Sequence, residues 1–253
     1  MNKLLTTLFA LAVASATGLA HAQAAPAASQ PAAPSNQQPA KAAPGASSQP
    51  HAGAPASPKS LEAKVAMCMG CHNIVGYQAS FPEVHKVPMI AGQSAGYIVA
   101  ALNAYKNGDR KHPTMRGIAD ALSEQDIKDI ANWYANLGGP AQAAGDKPSR
   151  EPSPQVAALL QKAACASCHG ANFSKGTDPT YPKLAGQHAD YLFVALKAYK
   201  TENNSAIGRN NPIMSGFAKQ FSNAELKAIA NYLASLDGDL KTVQEPRFVQ
   251  RSR

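Results

Sequence analysis

The sequence of 253 residues predicts an all-α protein with two similar domains in tandem, each built from about three main helices. Three observations predict this fold class. A Cys-x-x-Cys-His motif occurs twice, at residues 68–72 and 165–169, and the same short segments follow both copies in the same order. Several stretches place apolar residues at helical spacing. No stretch alternates apolar and polar residues over the length of a strand.

Four short segments recur behind the two motifs and identify an internal repeat. They are Ala-Gly-Gln (91–93 and 185–187), Ala-Tyr-Lys (104–106 and 198–200), Met-x-Gly (115–117 and 214–216) and Ile-Ala-Asn (130–132 and 229–231). The spacing between segments differs between the copies, as expected for insertions in surface loops. The repeat predicts a first domain at 60–138 and a second at 152–238. Residues 139–151 contain Gly and Pro residues that break regular structure, and are predicted to be a linker.

Three helices are predicted in each domain. They span residues 60–67, 95–105 and from 123 onward in the first domain, and 153–164, 189–199 and from 222 onward in the second. The last helix opens with a capping-box pattern in both copies, Ser123 with Asp126 and Ser222 with Glu225. The apolar residues that follow are spaced for one buried helix face.

The two ends of the chain are predicted to lie outside the domains. Residues 1–22 are typical of a secretory signal, because Lys3 precedes an apolar run and a small-x-small cleavage site ends at Ala22. The alternative is an uncleaved anchor, but the run is short for a bilayer span and threonines interrupt it. Residues 23–59 are rich in Ala, Pro, Gln and Ser and are predicted to be a disordered leader. Residues 239–253 form a basic tail, predicted to be a solvated, frayed end.

The net charge of +8 is not concentrated on the predicted domains. Residues 61–137 carry seven Lys or Arg and seven Asp or Glu, and residues 151–240 carry eight and seven. The remaining positive charge belongs to the ends and the linker. A nucleic-acid-binding protein concentrates basic residues on a folded face. The charge distribution therefore argues against nucleic acid as a partner.

The two motifs use all four cysteines of the chain, Cys68, Cys71, Cys165 and Cys168. Cys-x-x-Cys-His is the attachment signature of a c-type haem, in which both thiols add to the haem vinyl groups and the histidine ligates the iron. These histidines are His72 and His169. A zinc site would need a fourth ligand, and a thioredoxin-type dithiol would need a βαβ context. Two equivalent copies favour two covalently bound haem groups.

Met115 and Met214 are the candidate distal ligands of the two irons. Each follows its motif at a similar distance and is predicted to lie just before the last helix, and the methionine recurs while neighbouring residues change. A methionine is otherwise core filler, which is the interpretation for Met67, Met69 and Met89. Ligation by His and Met on both irons raises the reduction potential and leaves no open position for peroxide or oxygen.

Histidines are the rival distal ligands. His112 lies near Met115, but its counterpart in the second domain is Asn211. His85 and His188 have no counterparts, so surface or satisfied core positions are predicted for them.

Pro88 and Pro182 occupy equivalent places shortly before the two Ala-Gly-Gln segments. The simple interpretation is loop punctuation. The functional alternative is a backbone carbonyl that accepts a hydrogen bond from the proximal histidine and holds its ring.

The ordered features of each domain resemble class I c-type cytochromes, and two such domains in tandem resemble the two-haem cytochrome c4 family of the bacterial periplasm. The resemblance covers residues 60–238 and is carried by both haem motifs, Pro-Met-Ile-Ala-Gly-Gln, Pro-Lys-Leu-Ala-Gly-Gln and Asn-Pro-Ile-Met. It implies two tandem class I cytochrome c domains with closely packed haems. It also implies electron shuttling from a quinol-oxidising cytochrome complex or a periplasmic dehydrogenase to a terminal oxidase. Because no segment after the signal is long and apolar enough to span a bilayer, no stable membrane insertion is expected after signal cleavage. The long leader is atypical of the family.

Two alternatives differ from this shuttle. One is a dedicated electron-accepting subunit of a single dehydrogenase. The other is a di-haem enzyme, such as a peroxidase or a thiosulfate dehydrogenase, which needs an open or displaceable position on one iron. The paired methionines argue against an enzyme and favour an electron carrier.

Overall fold

The computed structural model describes residues 60–140 and 145–245, called here the first half and the second half. The predicted signal at 1–22 and leader at 23–59 lie outside the described residues, as do 141–144 of the linker and 246–253 of the tail. The described residues are mostly helical, with four strands of two residues each. The all-α prediction is therefore confirmed. None of the described helices is long and apolar enough to cross a membrane.

Four helices form the first half and five form the second. The first half contains α1 (Leu61–His72), α2 (Ala95–Asn107), α3 (Pro113–Asp120) and α4 (Glu124–Asn136). The second half contains α5 (Pro154–Lys162), α6 (Cys165–His169), α7 (Ala189–Ala198), α8 (Pro212–Ala218) and α9 (Asn223–Ser235). The strands are β1 (Gln78–Ala79), β2 (His85–Lys86), β3 (Arg110–Lys111) and β4 (Gly208–Arg209).

The last helix of each half organises its core. Helix α4 packs against α1 and α2, and α9 packs against α5 and α7. Both helices begin with the predicted capping box: the Asp126 amide donates to Ser123 Oγ (3.1 Å), and the Ser123 amide donates to the Asp126 carboxylate (3.0 Å). Ser222 and Glu225 repeat these bonds. Each box satisfies amides that the first helical turn leaves unpaired.

Two helix predictions differ from the structure, and two further helices were not predicted. Helix α1 continues through its whole motif to His72 instead of ending at residue 67. The corresponding helix of the second half stops at Lys162 and restarts at Cys165, because Ala164 adopts a left-handed conformation with φ of 45°. Helices α3 and α8 were not predicted. Their start signal is nonetheless in the sequence, since each has proline at its first position behind a capping side chain.

The halves touch along their backbones. Strands β1 and β2 pair within the first half, whereas β3 pairs with β4 across the halves, with Arg110 opposite Arg209. Residues behind α9 also return to the first half: the Lys241 amide donates to the Ala91 carbonyl (3.1 Å), and Val243 packs against the first core. A solvated, frayed end was therefore the wrong prediction for this part of the tail, because packing and backbone pairing hold it.

Candidate haem sites

The first motif lies on the final turns of α1. Cys68 and Cys71 are one helical turn apart and therefore lie on the same side of the helix. The Lys64 ammonium contacts Asp126 and Asp129 of α4, both at 2.8 Å, and so ties α1 to the central helix. The hydrogen bond from Lys64, with a further bond from Ser123, holds the pKa of Asp126 well below its usual range. The helix that carries the motif is thus anchored on the core.

Both motif histidines donate a hydrogen bond from Nδ1 to a proline carbonyl. His72 reaches the Pro88 oxygen at 2.8 Å, and His169 reaches the Pro182 oxygen at 3.1 Å. Burial lowers the pKa of both imidazoles, and the hydrogen bonds oppose this shift. A neutral ring whose Nδ1 carries the bonded proton presents a free Nε2 lone pair, which is the form that binds a metal.

A cavity surrounds the second motif. Cys165, Cys168, His169 and Met214 all line it, so the second motif and its candidate distal ligand meet in one place. Aliphatic and aromatic side chains make up much of its wall, among them Leu184, Leu192, Phe217, Phe221, Ile229 and Leu233. The first half also contributes, through Pro88, Met89, Ile90, Gln93, Tyr97 and Arg110.

The two candidate methionines lie in equivalent short helices. Met115 is the third residue of α3 and packs, half-buried, against the first core, as does Cys68. Met214 is the third residue of α8. The Met115 amide donates to His112 Nδ1 (3.4 Å), and the Met214 amide donates to Asn211 Oδ1 (2.9 Å). His112 and Asn211 correspond because both cap a helix, which explains why the histidine has an asparagine counterpart.

The remaining candidates have structural contacts. His85 is buried, has its Nδ1 2.8 Å from the Glu83 carbonyl and lies beside the Tyr191 ring. His188 precedes α7 at the N-cap position. Met69 is buried in the first core, as predicted, but Met67 is 59% exposed, so core filler was the wrong interpretation for Met67.

The donor set and the lining fit a covalently bound haem. Each motif offers two thiols that are free of disulfides and a histidine with an unused Nε2. The second cavity adds a thioether and apolar walls of the kind that contact a porphyrin face. A bound haem c would supply an iron that changes between its ferrous and ferric states, and the motif histidines would ligate that iron.

Two arginine–tyrosine clusters at the interface were missed in the sequence. Arg110 donates to the Tyr97 hydroxyl and Arg209 to the Tyr191 hydroxyl, both at 3.1 Å. Each guanidinium also lies over tyrosine rings of its own half. The signal was available, because both arginines and both tyrosines recur at equivalent positions of the repeat.

Replacing Tyr134 with phenylalanine is expected to destabilise the first half by about 1–3 kcal/mol, because its buried hydroxyl donates to the buried Asn73 Oδ1 (2.9 Å), directly after His72. Denaturant titration of the haem-loaded protein measures this loss. The matched control is Tyr232→Phe, whose less buried hydroxyl donates to the Arg150 carbonyl (2.8 Å). Equal losses in both variants would contradict the role assigned to the Asn73 contact.

Comparisons with known proteins agree with this geometry. The family model "Cytochrome c" matches residues 155–237. Cytochrome c4 of Stutzerimonas stutzeri is 31% identical over 193 residues, which cover 69% of this chain and 87% of the relative. A "Thiosulfate dehydrogenase electron acceptor" of Stutzerimonas stutzeri (strain A1501) is 30% identical over 177 residues, covering 67% of this chain and 78% of the relative.

Solved structures give the same result. The structure of Acidithiobacillus ferrooxidans cytochrome c4 aligns with a TM-score of 0.52 and 29% identity, and covers 68% of this chain and 99% of that one. Reduced cytochrome c4 from Pseudomonas stutzeri also has a TM-score of 0.52 and 29% identity, with 70% and 97% covered. The chain therefore belongs to the cytochrome c4 family: it is a two-haem electron-transfer cytochrome with two class I cytochrome c domains, each carrying a covalently bound haem c.

Proposed function

We propose that this chain is a periplasmic shuttle that takes electrons from a quinol-oxidising cytochrome complex or a dehydrogenase and delivers them to a terminal oxidase. Its domains would span 60–138 and 152–238, behind a signal cleaved near Ala22. The proposal extends the electron-transfer role of the family to particular partners and to a compartment. Haem c is attached outside the bacterial cytoplasm, so the motifs and the predicted signal support export.

The proposed iron ligands are His72 and Met115 in the first domain and His169 and Met214 in the second. Thioethers from the four cysteines hold the porphyrins, and Pro88 and Pro182 support the histidine rings. The observation that carries the carrier role is the repeated methionine on a capped helix, since a closed, six-coordinate iron exchanges electrons without binding substrate. Ligands that stay in place in both oxidation states keep the reorganisation on electron transfer small.

A second candidate is a dedicated electron acceptor of one dehydrogenase. It is favoured by two relatives, from Stutzerimonas stutzeri and Thiomonas intermedia, that are named "Thiosulfate dehydrogenase electron acceptor". A shuttle and a dedicated acceptor differ in how tightly they hold the donor. A shuttle must leave its donor to reach its acceptor, whereas a subunit stays bound.

The test uses the full-length, haem-loaded protein expressed with its signal. Mass spectrometry of the periplasmic fraction should find a mature chain that begins near Gln23. Membranes containing a terminal oxidase should reoxidise the ascorbate-reduced protein over many turnovers. Co-elution with a dehydrogenase at micromolar concentration would favour the dedicated acceptor. A high-spin haem in the untouched protein, or turnover of hydrogen peroxide, would overturn the carrier role.

A further inference from the structure

Gln187 of the second half holds the peptide group that supports His72 in the first half. The carbonyl of the Pro88–Met89 peptide accepts from His72 Nδ1 (2.8 Å), and the N–H of the same peptide donates to Gln187 Oε1 (3.0 Å). Gln187 Nε2 also donates to the Met89 carbonyl (2.9 Å). One planar peptide therefore connects the glutamine of one half to the histidine of the other.

The mirror arrangement exists for His169. The Pro182–Lys183 carbonyl accepts from His169 Nδ1 (3.1 Å), and the Lys183 amide donates to Gln93 Oε1 (2.9 Å). Gln93 Nε2 donates to the Lys183 carbonyl (3.0 Å). The same three contacts thus occur in both directions across the interface.

Both glutamines are held firmly. Gln93 and Gln187 are each 3% exposed. Each Oε1 also accepts a bond from the following amide, Ser94 at 2.9 Å and His188 at 3.0 Å, at the start of α2 and α7. With both oxygen lone pairs and one amide proton engaged, each side chain has one fixed orientation.

Hydrogen bonds that share a peptide strengthen one another. An acceptor on the peptide N–H polarises the group and makes its carbonyl oxygen a better acceptor. A stronger acceptor on Nδ1 makes the imidazole a more basic iron ligand. A more basic ligand stabilises ferric iron and lowers the reduction potential.

We propose that each glutamine is a positioning residue for the haem of the opposite half: Gln187 for the haem on residues 68–72, and Gln93 for the haem on residues 165–169. The inference rests on the proposed ligation of iron by His72 and His169. It means that the interface between the halves adjusts both proximal ligands.

The test replaces each glutamine with methionine, which has a similar shape and neither polar group, in the full haem-loaded chain. Gln187→Met should raise one of the two redox waves and speed the solvent exchange of the His72 Nδ1 proton, measured by NMR in the reduced protein. Gln93→Met should raise the other wave and speed exchange at His169. We call the path from a glutamine through the peptide to the histidine of the other half a relay. Effects on the opposite haem alone distinguish this relay from a general loosening of the interface, which would affect both haems equally.

Ser94→Ala is the matched control. The Ser94 hydroxyl also crosses the interface, to the Pro179 carbonyl, but it does not contact either proline that holds a histidine. This variant should leave both Nδ1 exchange rates and both redox waves unchanged. An effect as large as that of the glutamine variants would assign the change to the interface as a whole and overturn the proposal.

The remaining outcomes separate the inference from the proposed function. Ring protons of an axial histidine are shifted strongly by the haem, so a lack of such shifts for His72 and His169 in the unmodified protein would refute the ligand assignment itself. If the ring protons of His72 and His169 are shifted, the ligand assignment stands. The relay alone would then be refuted if a glutamine variant affected the haem of its own half, both haems or neither haem. If the variants do not fold, hydrogen exchange of the Met89 and Lys183 amides in the unmodified protein tests the glutamine contacts instead. Rapid exchange of these amides would refute the contacts.

Discussion

A Met214→Ala variant is expected to lose the long-wavelength iron–methionine absorption band of one haem in the oxidised protein. The reduction potential of that haem should fall by an amount on the order of a few hundred millivolts, because axial ligands set potentials over a range of about 0.8 V. The physical reason is that a thioether stabilises ferrous iron, whereas water or hydroxide in its place stabilises ferric iron. Optical spectra and a redox titration measure both effects.

Met115→Ala should do the same to the other haem, so that the double variant has no such band. Met67→Ala is the control, since this methionine is 59% exposed on the helix that carries the first motif. It should leave the band and both potentials unchanged. Retention of the full band after both Met115 and Met214 are replaced would refute the ligand assignment.

A Gly170→Ala variant is expected to lose about 2–5 kcal/mol of stability in the second half, through the backbone strain of a positive φ that favours glycine and through a steric clash. Gly170 follows His169 and has φ of 79°. A Cβ there would lie 1.9 Å from the Lys175 carbonyl oxygen. Because this oxygen belongs to the backbone, it cannot move aside as the end of a flexible side chain could. In the variant, the loop between Gly170 and Lys175 must therefore move apart to make room for the Cβ. Denaturant titration and the haem content per chain measure the loss.

Gly76→Ala separates the two contributions. Gly76 has a similar φ of 73°, but a Cβ there has no neighbouring atom within 4 Å. This variant should show the backbone strain alone, about 1–2 kcal/mol. An equal loss of unfolding free energy in Gly170→Ala and Gly76→Ala would show that there is no clash with Lys175. It would contradict the close contact between this loop and the residue that follows the second motif.

Local signals explain what could be predicted. The capping boxes at Ser123 and Ser222 and the all-α class depend on residues a few positions apart, so they are readable in one dimension. Helices α3 and α8 had an equally local signal in the prolines at their first positions. The break before α6 had none, because Ala164 adopts its left-handed conformation without a glycine or proline to indicate it.

Long-range contacts explain what could not be predicted. The segment containing Gln187 was visible as part of the repeat, but no periodicity indicates that its side chain bonds to Met89 in the other half. The pairing of β3 with β4 and the return of Lys241 to Ala91 are similar cases. These contacts depend on how two folded halves pack, and packing is decided by shapes that form only after the helices assemble.

The sequence by itself determined the chemistry of this protein: two haem attachment motifs, an all-α repeat and a methionine at matching positions. Covalent attachment and helix capping need only certain residue types at fixed short spacings, so both can be recognised from the sequence alone. The tertiary structure alone decided that the first half lines the cavity of the second motif, and that each motif histidine is linked to a glutamine of the other half. The two glutamine contacts join residues 98 and 90 positions apart, which only packing brings within hydrogen-bond distance.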